Sequence, residues 1–184
     1  MKKEKLPRDL IIRPENMIKS SVYTNRNIIA GYHNTGKTEA ASRQPKYFLD
    51  LDHTMYKYYI DDKGIISIVD NWQEHYIADL LKIAYSKITD TDPWIYVLIC
   101  TDSEVLKALE KENIYYMVVV PDSINTLRSR HKDYIDKSKI TREIMECLEY
   151  KDAIKNYAMH MEEIKASSAL GIYNTDRFIF DIFT

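Results

Sequence analysis

Gly31, Tyr32, His33, Asn34, Thr35, Gly36, Lys37 and Thr38 follow the spacing Gly-x-x-x-x-Gly-Lys-Thr without a gap. Phosphate chemistry needs these residue types in this order. The glycines let the backbone curl so that successive N–H groups point inward at phosphate oxygens. Lys37 is placed to reach β- and γ-phosphates, and Thr38 offers a hydroxyl to Mg²⁺. The pattern has force only between a strand and a helix N-terminus. Asn27–Ala30 is a short apolar run that reads as a buried strand, and Glu39-Ala40-Ala41 is a good helix start. That helix would add free N–H groups and the positive end of its dipole.

Three acids compete for a supporting role. Tyr47–Asp52 reads as a second strand, and alternation puts Asp50 and Asp52 on one side of it. Two carboxylates at a strand's C-terminal end beside a phosphate loop suit Mg²⁺ and a substrate hydroxyl. The same residues also suit a solvated strand end with a helix cap. His53, in the same turn, reads as a solvated loop histidine. Trp94–Cys100 reads as a buried strand ending in Thr101-Asp102-Ser103-Glu104. Asp102 reads first as the N-cap of the next helix, and second as an acid that orients a Mg²⁺-bound water. Beyond the next buried strand, Ile114–Val120, lies a basic cluster of Arg128, Arg130 and Lys132. These are cations placed to neutralise charge during phosphoryl transfer, or simply a solvated helix face.

The elements that must position these groups follow from periodicity and breakers. A helix over 37–43 ends at Pro45. Asp61–Gly64 is a turn, and Ile65–Val69 a short strand or apolar patch. A helix is expected over 71–88, capped by Asp70 or Asn71, with Trp72, Tyr76, Leu80 and Ile83 on its inner face. Two continuous apolar strands joined by a helix over 103–112 make a parallel βαβ unit. Residues 138–166 read as two helices or one bent one, with Ile140, Ile144, Met145, Leu148, Ile154, Tyr157, Met161 and Ile164 at helical spacing. Ala169–Tyr173 and Arg177–Phe183 read as terminal strands, with Asn174–Asp176 as the turn between. Residues 1–25 form an extension in which Leu10–Ile12 and Met17-Ile18 pack on the edge of a domain over 26–184.

The chain has 184 residues, of which 45% are apolar and 29% charged, with a net charge of −2. That is enough for one globular domain. The near-balance of charge argues against a general affinity for nucleic-acid backbone, though not against a local basic groove. Two cysteines, Cys100 and Cys147, are too few for a disulfide framework or a thiolate metal site. No signal peptide or membrane span is expected, and reduced cysteines fit a cytoplasmic protein. The fifteen tyrosines are scattered and read as half-buried packing.

The order of strand, phosphate loop, helix, Asp-x-Asp strand, helix, buried strand, helix, buried strand and basic helix resembles the small P-loop kinases. One likeness is to the nucleoside-monophosphate and shikimate/gluconate kinases. A closer one is to phage-encoded nucleotide-kinase-like proteins, through Val97–Leu109 and through Val119-Val120-Pro121-Asp122 ahead of Arg128 and Arg130. The resemblance covers about residues 27–135. It implies a P-loop NTPase fold, a three-layer α/β/α sandwich with a mostly parallel sheet. It implies ATP and Mg²⁺ as cofactors, Gly31–Thr38 as the nucleotide loop with Lys37 catalytic, and Thr38 and Asp50 on the metal with Asp102 as a further candidate. Asp52 would bind the acceptor hydroxyl or act as its base, and Arg128 and Arg130 would be lid arginines. The implied function is transfer of the γ-phosphoryl group to a nucleotide, nucleoside or modified DNA base. The alternative is a nucleotide-binding regulatory protein of a phage, acting in the host cytoplasm. The segment lacks both the Arg-Gly lid turn of the phage proteins and the Asp-Gly-Phe/Tyr-Pro-Arg segment of adenylate kinases, so the acceptor stays open.

Overall fold

A computed structural model describes residues 10–12, 24, 26–135 and 140–184; for 10–12, 132–135 and 140–143 it gives the backbone alone. Met17, Ile18 and the side chain of Lys132 lie outside the described residues.

The strands are β1 (Leu10–Ile12), β2 (Asn27–Gly31), β3 (Phe48–Asp50), β4 (Tyr58–Ile60), β5 (Ile66–Ile68), β6 (Tyr96–Ile99), β7 (Tyr116–Pro121) and β8 (Gly171–Thr175). The helices are α1 (Lys37–Arg43), α2 (Thr54–Lys57), α3 (Trp72–Tyr85), α4 (Ser103–Lys111), α5 (Ile124–Ile135), α6 (Ile140–Lys155), α7 (Tyr157–Ala166) and α8 (Ile179–Phe183). Six strands form one sheet in the order β1-β8-β7-β2-β6-β3, and β4 and β5 pair as a separate hairpin. Within the sheet β1 runs antiparallel to β8, and every other pairing is parallel.

Alternation along the strands explains the layers. Ile28, Ala30, Val97, Ile99, Val118, Val120 and Ile172 point to one core, with α3, α4 and Leu127 of α5. Ile29, Leu98, Val119 and Tyr173 point to the other, with Ala40 of α1, Phe48 and Ile179 of α8. Both faces are therefore covered, which is why these strands read as unbroken apolar runs. Each fully buried Val, Leu or Ile contributes roughly 1.5–3 kcal/mol. The result is the α/β/α sandwich with a mostly parallel sheet that the sequence predicts.

This topology fixes where a ligand can sit. The chain leaves β2 for β3, skipping the place that β6 later fills. From β6 it crosses over β2 to β7 on the other side. The strand order thus reverses at β2, and the crevice at such a reversal opens at the C-terminal ends of the strands. The loop after β2 begins at that point, and Tyr32 N–H extends the β2 ladder by donating to Val119 O at 2.9 Å.

Four local expectations need correction. Residues 177–183 form no strand: Ile179–Phe183 is the short helix α8, because Ile179 N–H bonds Thr35 O (3.0 Å) and Ile179 is buried against the α1 side of the sheet. Asn174 and Thr175 belong to β8 and not to a turn, since they pair with Val120 and Pro121. Asn71 occupies the N-cap position of α3 in the left-handed region (φ 55°), without a side-chain capping bond. Ile144 and Leu148 of α6 do not face the core but stand exposed.

At the far, N-terminal end of β2, Arg26 is 2% exposed. Its guanidinium donates to Ser86 Oγ (2.9 Å), Lys87 O (2.8 Å), Asp92 O (3.1 Å) and Trp94 O. It thereby fastens the α3–β6 connection to the central strand. No helix among the described residues is long and apolar enough to cross a membrane.

Candidate functional site

The loop's backbone is shaped by its own side chains and by α8. Thr35 is buried and turns its hydroxyl back to Tyr32 O (2.7 Å), closing a tight bend. Asn34 (φ 57°) and Gly36 (φ 85°) take left-handed conformations. A Cβ at Gly31 would sit 2.5 Å from Thr35 Oγ1, and one at Gly36 would sit 3.0 Å from Phe178 Cδ1. Both glycines are therefore required. Among the described residues, the N–H groups of His33, Asn34, Gly36, Lys37 and Thr38 have no hydrogen-bond partner. Five free donors around a bend that leads into a helix N-terminus form an anion cradle. Lys37 Nζ bends over this loop and donates to Gly31 O (2.8 Å) and more weakly to Tyr32 O (3.3 Å).

The acids separate by environment. Thr38 Oγ1 donates to Asp50 Oδ2 (2.8 Å), joining the first turn of α1 to the end of β3. Asp50 Oδ1 is buried and has no partner among the described residues. Burial raises the Asp50 carboxyl above its ordinary range, although Lys37 and the Thr38 bond pull the other way. An unsatisfied buried carboxylate oxygen beside a threonine hydroxyl is the donor set that Mg²⁺ accepts. Among the described residues no group of three or more His, Cys, Asp or Glu is placed to hold a metal. Mg²⁺ does not need such a cage, since it is held by one or two protein oxygens, substrate phosphates and water. Asp52 bonds locally instead: its Oδ1 accepts from Thr54 N (3.0 Å) and Thr54 Oγ1 (2.8 Å), at the first residue of α2. Asp102 caps α4, its Oδ1 accepting from Glu104 N (3.0 Å) and Val105 N (3.3 Å).

A cavity of about 240 Å³ opens beside the loop. Gly31, Tyr32, His33 and Lys37 of the loop and Cys100–Ser103 at the end of β6 line it. His53, Lys57 and Trp72 stand opposite, while Glu149, Asp152, Ala153 and His160 come down from α6 and α7. Cys100 is no nucleophile here, because burial pushes its thiol up to about 12.

Helix α6 meets the site through one face, with Glu146, Glu149, Tyr150 and Ala153 at spacings of three and four. His33 Nδ1 lies 4.0 Å from Glu146. Tyr150 stacks flat on His131, with ring centroids 3.5 Å apart and planes 2° from parallel. Tyr32 OH donates to Ala153 O (3.0 Å) and shares a 2.8 Å bond with His160 Nδ1. Burial first, then the charge of Lys37, lowers His33 to about 3, so it is neutral at pH 7.

The sequence-predicted arginines part ways. Arg130 bonds Asn34 O (3.1 Å), Asp176 O (2.5 Å) and Arg177 O (3.3 Å), and its guanidinium lies 4.3 Å from the centroid of the Phe178 ring. It ties α5 to the loop and to the β8–α8 turn. Arg128 is exposed. Sequence reasoning missed Lys57, Tyr58, Glu149 and His160. They lie 26 to 129 residues from the loop's first glycine in segments without a motif, and Glu149 differs in no local feature from other glutamates on its helix.

No protein-family model matches this chain, and no curated protein matches it. Among solved structures the chain is similar to a shikimate kinase from Bacteroides thetaiotaomicron. That similarity covers 84% of this chain and 88% of the other, at 14% identity and a TM-score of 0.44.

Proposed function

We propose that the protein is an ATP-dependent phosphotransferase that carries the γ-phosphoryl group of a Mg²⁺-bound nucleoside triphosphate to a nucleotide, nucleoside or modified base. The observation that carries this reading is the pairing of Thr38 with Asp50, whose second oxygen is buried and unsatisfied, beside a loop that opens onto a cavity. The free N–H groups of the loop and Lys37 would bind the phosphates, with Lys37 leaving its carbonyl partners to do so. Thr38 and Asp50 would hold Mg²⁺, which when bound neutralises charge on the phosphate oxygens. Little covalent work is then required of the protein, since phosphoryl transfer depends on alignment and charge neutralisation. Both Asp52 bonds fall on Oδ1, which leaves Oδ2 for an acceptor hydroxyl. Asp102, already committed to α4, would serve the metal only through water. Arg130 would act by fixing the loop through Asn34 O, and Arg128 would supply a cation from α5.

The test is titration with Mg²⁺-ATP and Mg²⁺-GTP, followed by product analysis with a panel of hydroxyl acceptors. Lys37→Ala should lose triphosphate binding, and an unchanged affinity would refute the loop assignment. Hydrolysis without transfer to any acceptor would refute the kinase reading. A second reading, a nucleotide-binding interaction protein, is favoured by the exposed apolar side chains Met55, Tyr59, Ile65 and Ile68 on and beside the β4–β5 hairpin. Partner binding that survives Lys37→Ala would support it.

A further inference from the structure

Glu149 makes contacts that a helix-surface glutamate seldom makes. Its Oε1 accepts from Lys57 Nζ (2.6 Å) and from Tyr58 OH (2.6 Å), and its Oε2 meets His53 Nε2 (2.8 Å). The Lys57, His53 and Glu149 side chains are only 17%, 14% and 11% exposed. The three partners come from one short stretch. His53 precedes the single turn of α2, Lys57 ends it and Tyr58 starts β4, so one turn of helix aims an ammonium, an imidazole and a phenol at one point. Trp72 flanks the imidazole, with ring centroids 5.7 Å apart. The carboxylate at their focus comes from a helix more than 90 residues further along the chain.

We propose that His53, Lys57 and Tyr58 form an oxyanion subsite for the phosphoryl acceptor, and that Glu149 occupies it as an internal stand-in when no acceptor is bound. The ligand class is an acceptor that carries a phosphate monoester or a carboxylate. Naming the ligand as the acceptor rests on the kinase reading above, but the existence of the oxyanion subsite does not.

Three observations support it. First, His53, Lys57 and Glu149 line the same cavity as Lys37. An oxyanion held there lies within the space that an acceptor must enter. Second, the donors divide between the two carboxylate oxygens, as they would around a phosphate or a carboxylate. The site is not fully satisfied by Glu149, because His53 Nδ1 is buried and has no partner among the described residues. Buried polar atoms are seldom left so. Third, the helix that carries Glu149 can withdraw without opening the core. Over this part of α6 the contacts include polar and aromatic ones, Glu146 with His33 and Tyr150 with His131. Ile144 and Leu148 are exposed on its outer side. The buried anchor lies near its C-terminal end, at Ala153, and the helix ends at Lys155, with Asn156 at the N-cap position of α7. A half-buried lysine is favoured by a nearby counter-charge. Glu149 supplies it in the free protein, and the incoming anion would supply it in the complex.

The test uses the whole chain with Lys37→Ala in the background, so that the phosphate loop does not compete. Calorimetric titration with inorganic phosphate, then separately with a nucleoside monophosphate and a small hydroxycarboxylate, would be run with and without Glu149→Gln. Removing the internal carboxylate should tighten binding of at least one of these anions by about tenfold or more. The gain should vanish when Lys57→Ala is added. Whichever anion gains more identifies the acceptor's anionic group. Unchanged or weaker binding together with lower stability would make Glu149 a latch only and overturn the proposal. Should the Glu149→Gln protein not fold, wild type carries the test. A saturating monophosphate or carboxylate should speed amide exchange across α6 while overall stability holds, and unaltered exchange would overturn the proposal. Neither measurement involves ATP or turnover, so the result stands apart from the outcome of the kinase assay.

Discussion

Asp50→Asn should make the free protein more stable and the nucleotide-bound protein less so. Asp50 Oδ1 is buried and lacks a partner among the described residues, and burial raises the carboxyl above the ordinary 3.8. A carboxyl with a raised folded-state pKa stabilises the fold when protonated. That contribution fades as pH rises above 3.8 and through the folded value, and the ionised carboxylate then carries the penalty of its burial. Asparagine keeps the shape and can still accept from Thr38, but its amide nitrogen then lies unpaired where Oδ1 was. The gain is therefore only the removed charge, about 1 kcal/mol of the 1–3 kcal/mol typical of an unsatisfied buried group. For a chain of this size that raises the melting temperature by about 2–4 °C. Mg²⁺-nucleotide at a hundredfold excess over Kd should stabilise wild type by about 2.7 kcal/mol. If Asp50 holds the metal as proposed, the variant should lose most of that increment. Differential scanning fluorimetry with nucleotide, with and without Mg²⁺, reads both effects. A variant less stable than wild type without ligand would show that Asp50 serves only to hold Thr38. An undiminished Mg²⁺-nucleotide shift would remove Asp50 from the metal site.

Other consequences follow from single contacts. His33 is neutral in the fold down to about 3, whereas the unfolded chain protonates near 6.5. Its contribution is therefore complete above pH 6.5 and lost at about 1.4 kcal/mol per unit as pH falls towards 3, or about 2 kcal/mol by pH 5; urea midpoints at pH 7 and 5 should differ less in His33→Asn. Gly36→Ala forces a side chain into φ 85° with its Cβ 3.0 Å from Phe178, which should cost about 1–2 kcal/mol and weaken triphosphate binding measured by calorimetry. Arg26→Met should cost about 3 kcal/mol by denaturant unfolding, since it orphans the carbonyls of Lys87, Asp92 and Trp94. Its triphosphate affinity should not change, because Arg26 lies at the opposite end of β2 from the loop.

Legibility followed the range of the interactions. The loop, α1 and the β6–α4–β7 unit were readable because each is set by residues close in sequence, such as Gly36 before Lys37 or Asp102 capping Ser103–Lys111. Asp102 shows the limit of that reading, since one residue type served both a cap and a metal role, and its bonds to Glu104 and Val105 show it capping α4. The C-terminal segment misled because a short apolar run suits a strand or a helix equally. What decides it is remote: Thr35 O, on the phosphate loop, receives the Ile179 N–H. Strand β4 escaped notice for the same reason, as Tyr58–Ile60 becomes a strand only by pairing with Ile66–Ile68.

Helix α6 carries the most instructive difference. Apolar spacing placed Ile144 and Leu148 inward, but they are 46% and 37% exposed, while Glu146, Glu149 and Tyr150 face the protein. The periodicity rule assumes that what lies opposite a helix is apolar core. Opposite α6 lie Lys57, His53, Tyr58 and the buried His33, which require polar partners. Burial outweighs nothing here by itself: it would raise the Glu149 carboxyl, but the hydrogen bond and charge of His53 and then Lys57 hold it well below the usual carboxylate range. The half-buried Glu149 is thus met by groups that favour its negative charge. The inverted face of α6 is therefore set by the polar groups it meets. A helix that turns two glutamates inward and a leucine outward is packed there against polar groups, and meets the core only further on, at Ala153 and Ile154.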